Sequence, residues 1–123
     1  MVTSIIRSHK CSYLLEVLEK NIEHTIEFLE LYKKIIPFQK EKLQYCFNNG
    51  KKDEFYMITR QIMTSFKMIG FPGLSDQLYD FAAGFKHKGL AYEADKDLVS
   101  ILDKIDLTIQ YVETELKNLS EAQ

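Results

Sequence analysis

The chain has little cysteine. Cys11 and Cys46 are too few for a disulfide framework and lack the spacing of metal ligands, so they read as reduced, mostly buried thiols. No block of basic residues is present and the formal charge is -2, which argues against a nucleic-acid backbone as partner, since that needs a clustered positive face. No stretch approaches the roughly 18 apolar residues that a membrane-spanning helix needs. The N-terminal MVTSIIRSHKCSYLL has neither a long apolar run nor a small-residue cleavage site, so it does not read as a signal peptide and a cytoplasmic location is expected. Internal repeats and low-complexity tracts are missing. So are clustered carboxylates, a nucleophile with its base, and a phosphate loop, and a metabolic enzyme is therefore not indicated.

What the chain does have is helical periodicity. Its 123 residues, 46% hydrophobic and 28% charged, fit one domain spanning 1–123. Tyr13, Leu14, Leu15, Val17 and Leu18 predict a short helix over about 12–19. A second helix follows over about 21–35, with Ile22, Ile26, Leu29 and Lys33 on one side. Pro37 suits the first turn of a third helix that reaches Phe47 and buries Phe38, Leu43, Cys46 and Phe47, with Asn48-Asn49-Gly50 ending it.

The fourth helix, about 53–69, organises the rest. Phe55, Ile58, Ile62, Phe66 and Ile69 recur at steps of three or four, as one buried stripe requires. At 100° per residue this directs Asp53, Met57, Arg60, Thr64 and Lys67 outward, with Tyr56 and Met63 on one shoulder and Met68 on the other. Gly70, Pro72 and Gly73 form the turn that ends it. A fifth helix, about 75–86, is capped by Ser75 and has Leu78, Phe81, Ala82 and Phe85 inward, and a sixth covers about 95–119. The expected fold is all-α: an antiparallel up-and-down four-helix bundle over about 37–119, preceded by one or two short N-terminal helices over about 12–35.

The run Ile62, Thr64, Ser65, Phe66, Met68, Ile69, Gly70, Phe71, Gly73, Leu74 resembles the histidine phosphotransfer (HPt) domain of two-component phosphorelays. That family carries His, any residue, aliphatic, Lys, small, five residues, then Gly. Here Arg60 stands at the histidine and Met63 at the lysine. Arginine has no lone pair to take a phosphoryl group: its guanidinium carries five donors, no acceptor and a pKa above about 12.

The resemblance implies a pseudo-phosphotransfer module that docks a receiver domain, of a response regulator or a hybrid histidine kinase, without relaying phosphate. Tyr56, Met57, Arg60, Met63, Thr64 and Lys67 would make the docking face, and Gly70 and Gly73 the structural turn. No cofactor or metal is expected, and the chain is expected to be a monomer. Two alternatives stay open. Phosphate transfer through His87 or His24 is one, and a self-associating structural bundle is the other.

Overall fold

The computed structural model describes residues 21–88 and 94–122. Within them lie four helices and no strand: α1 (Ile22–Asn48), α2 (Lys52–Met68), α3 (Pro72–Lys88) and α4 (Ala94–Ala122). Each helix packs on its sequence neighbour, and α1 closes the ring against α4, which makes a four-helix bundle. The segment expected as a helix over 12–19 lies outside the described residues.

Two of the connections are built alike. Asn49–Lys51 and Ile69–Phe71 are three-residue turns in which a glycine occupies the left-handed region, Gly50 at φ 67° and Gly70 at φ 91°. The Gly50 amide donates to the Phe47 carbonyl and the Lys51 amide to that of Cys46. Gly70 and Phe71 repeat the pattern onto Lys67 and Phe66. Both helices therefore end in the paired bonds of a Schellman motif, which satisfies carbonyls left without a partner in the last turn. Lys51 and Phe71 at once begin the next helix, their carbonyls accepting from Phe55 and Ser75. Turns this short leave the joined helices antiparallel.

Pro37 does not start a helix. It lies inside α1, which runs unbroken for 27 residues and merges the two segments expected at 21–35 and 37–47. The proline removes one amide donor, a cost that intrinsic propensity alone would place near 3 kcal/mol. Packing overrides it, because the buried stripe Leu29, Tyr32, Ile36, Leu43, Cys46, Phe47 stays in helical register on both sides of the proline. The bundle core therefore begins at α1 and not at residue 37. Asn21 caps the helix, its side chain accepting from the His24 amide at 3.0 Å. One further expectation on this helix fails: Phe38 is 61% exposed.

The expected start of α3 also shifts. Pro72 takes the first helical position, where its missing amide costs nothing, and Gly73 lies in the first helical turn. Gly73 is thus not part of the reversal, which Gly70 performs. Ser75 is buried inside the helix, with no hydrogen-bond partner for its hydroxyl, and so is not a cap.

At one end of the core, Phe47, Phe55, Phe81 and Phe85 from three helices stack with ring centroids 5.4 to 5.8 Å apart. Further along, Tyr32 meets Phe66 edge-on at 6.5 Å. Leu98, Ile101, Leu102, Ile105, Val112 and Leu119 of α4 fill the space between, each fully buried side chain contributing about 1.5–3 kcal/mol. Two polar links tie α1 to α4. Tyr32 and Thr108 hydroxyls lie 2.6 Å apart in the interior, and Lys40 Nζ is 2.7 Å from both oxygens of Asp106.

Candidate functional site

The helix α2 presents the face that periodicity assigned to it. Phe55, Ile62, Phe66 and Ile69 are buried but Ile58, expected in the same stripe, is only half-buried, while Met57, Arg60, Thr64 and Lys67 are exposed and Tyr56 and Met63 half-buried. The phase is fixed by the inner stripe. Thr59, which adjoins that stripe, is buried as well, and its hydroxyl has no hydrogen-bond partner.

The face has two sides with different chemistry. Towards α3, the Tyr56 ring is the centre of a cationic and aromatic cluster. Lys86 Nζ stands 4.5 Å from its centroid and the Arg60 guanidinium carbon 6.0 Å. The His87 ring meets it edge-on at 6.2 Å, and the Tyr79 ring lies at 5.9 Å with the two hydroxyls 3.4 Å apart. Towards α1, Met57 borders a depression of about 360 Å³ with Lys42, Tyr45 and Cys46. The six expected docking residues thus share one helix face, but Met57 and Tyr56 belong to different inter-helix grooves.

The two phenols are driven apart. The hydroxyl of Tyr79, together with Arg60, favours the ionised form of Tyr56 and holds its pKa below the usual 10.0. Tyr79 is pushed above it by its contact with the Tyr56 hydroxyl. Lys86 also approaches Asp53 at 4.0 Å, a pair too long and too exposed to bind strongly. The cluster accordingly offers hydroxyl, guanidinium and ammonium donors to an anionic or acidic partner.

Tyr79, Lys86 and His87 were not placed beside Tyr56 by the sequence, because their proximity depends on how α2 and α3 pair. The one signal available was the charged run Lys86-His87-Lys88 at the end of α3. His24, on α1, is exposed and its backbone amide serves the cap. Cys46 is free and buried, its thiol pKa raised by burial and by Glu54. Cys11 lies outside the described residues. Among the described residues no group of three or more His, Cys, Asp or Glu side chains is arranged to hold a metal ion, and no helix is long and apolar enough to cross a membrane.

Comparison of the chain with protein-family models, with curated proteins and with solved structures finds no match.

Proposed function

We propose that this chain is a pseudo-phosphotransfer module that docks the receiver domain of a response regulator or hybrid histidine kinase through the outer face of α2. The observation that carries the reading is the setting of Arg60. It is exposed at the middle of α2, with Met57, Thr64 and Lys67 on the same face, and Gly70 closes the helix ten residues later at φ 91°. The resemblance puts a phosphorylated histidine at that position.

A receiver offers a pocket of carboxylates that holds Mg²⁺ and the phosphorylated aspartate. A guanidinium entering it makes charge-assisted hydrogen bonds with those carboxylates, and Lys67 adds to the attraction. Transient signalling contacts bury on the order of 1,000 Å² and correspond to micromolar affinity. The test is an NMR titration with receiver domains, unphosphorylated and bearing a phosphoryl mimic. Shifts centred on Tyr56, Arg60, Met63, Thr64 and Lys67 support the reading. Silence across the panel removes it.

One observation favours a second reading. His87 is exposed and lies against Tyr56, on the same side of the bundle as Arg60, so a relay through His87 remains chemically available. Acid-labile phosphate that disappears in His87→Gln would establish it in place of the first.

A further inference from the structure

A second apolar stripe runs along α1. The first, through Leu29, Ile36 and Leu43, faces the core. The second consists of Phe28, Leu31, Ile35, Phe38, Lys42 and Tyr45, at steps of three, four, three, four and three. That alternation has the 3.5-residue period of a coiled-coil seam. It extends over about 26 Å of helix. Seven large apolar side chains are exposed among the described residues, and four of them, Leu31, Ile35, Phe38 and Tyr45, fall on this stripe. Lys42 does not interrupt it, because its ammonium folds over the Phe38 ring at 5.1 Å. A groove of about 200 Å³ lies beside it between α1 and α2. Exposed apolar surface so concentrated marks an interaction site.

We propose that the occupant is a second copy of this chain, with α1 lying antiparallel on α1 about a two-fold axis between Ile35 and Phe38. Such an interface must be complementary to itself. In the antiparallel register Ile35 faces Phe38 of the other copy, Leu31 faces Lys42, and Phe28 faces Tyr45. Lys34 and Glu41, seven residues apart on one flank of the stripe and both exposed, then stand opposite each other's counterparts, which gives two symmetric ion pairs.

A parallel pairing loses this. It stacks Lys42 on Lys42 and sets Lys34 and Glu41 against Gln39 and the buried Cys46.

The interface is independent of receiver docking, since Arg60 takes no part in it. Light scattering or sedimentation of the full chain, from micromolar to submillimolar concentration, is expected to show the mass rise towards twice 14.4 kDa. Ile35→Asp with Phe38→Asp returns it to the monomer while the helical circular dichroism stays unchanged, the two positions being exposed. Lys34→Glu or Glu41→Lys alone raises the dissociation constant several-fold, and the two together restore it. Arg60→Ala leaves the mass alone. A monomer at every concentration overturns the proposal, as does a dimer indifferent to Ile35→Asp and Phe38→Asp. Charge exchanges that fail to compensate overturn the antiparallel register.

Discussion

Tyr32 donates its phenolic hydrogen to Thr108 across the seam between α1 and α4. The direction follows from the neighbouring bond: the Thr108 hydroxyl lies 2.6 Å from the Ile105 carbonyl, which can only accept, so the one hydrogen on Thr108 is already used. Thr108→Val therefore leaves a buried phenol with no acceptor and is expected to destabilise the fold by about 1–3 kcal/mol. Tyr32→Phe removes the donor but leaves Thr108 bonded to Ile105, and costs about 1 kcal/mol. The double variant should lose less than the sum of the two, as read from urea midpoints.

The same phenol predicts an alkaline response. Burial raises the Tyr32 pKa well above 10.0 in the folded chain, whereas an unfolded tyrosine ionises near that value. Above it the unfolded state releases a proton that the folded state keeps, so the stability contribution is complete below the unfolded pKa and is lost as pH rises. Urea midpoints taken at about pH 9 and pH 11 should fall with pH, and Tyr32→Phe should make the fall shallower. An equal fall in both proteins would place the effect elsewhere.

Gly70 closes α2 at φ 91°, where a Cβ is strained. Gly70→Ala is expected to cost about 1–2 kcal/mol. Because the turn positions α2 against α3, the ring contact between Tyr56 and Tyr79 is expected to loosen as well. Thermal unfolding measures the first effect and the ring proton shifts the second.

Arg60 can be tested by loss and by gain. Arg60→Ala should weaken receiver binding by about 1–3 kcal/mol if the guanidinium anchors the contact. Arg60→His with Met63→Lys restores both departures from the family pattern and is expected to take acid-labile phosphate from a phosphorylated receiver. A variant that folds, binds the receiver and still takes no phosphate would show that this face does not present position 60 to the phosphoryl group.

Secondary structure was legible where burial and periodicity agreed. The phase of α2 followed from Phe55, Ile62 and Phe66 alone, and with it the exposure of Met57, Arg60, Thr64 and Lys67. Local rules failed where packing outweighed them. Pro37 reads as a helix start, yet the stripe from Tyr32 and Ile36 to Leu43 keeps its register across it. Ser75 reads as a cap, yet Pro72 begins the helix three residues earlier and the serine is carried into the interior. Half of the candidate site was beyond reach for another reason. That Tyr79, Lys86 and His87 gather round Tyr56 is a property of the pairing between α2 and α3, and periodicity within one helix carries no information about the helix next to it.

The ring of helices also sets an order of assembly. The contacts of α1 with α2, α2 with α3 and α3 with α4 join segments adjacent in the chain, and the first two close through three-residue turns. Among the described residues the seam between α1 and α4 joins the ends, with Lys40 and Asp106 separated by 66 residues and Tyr32 and Thr108 by 76. Its loop-closure entropy is the largest in the bundle and must be met before Tyr32 gains its acceptor. The hairpins joined by three-residue turns are therefore expected to form first, and the α1–α4 seam is expected to close last. Substitutions at Tyr32 and Thr108 should then speed unfolding and leave the folding rate nearly unchanged.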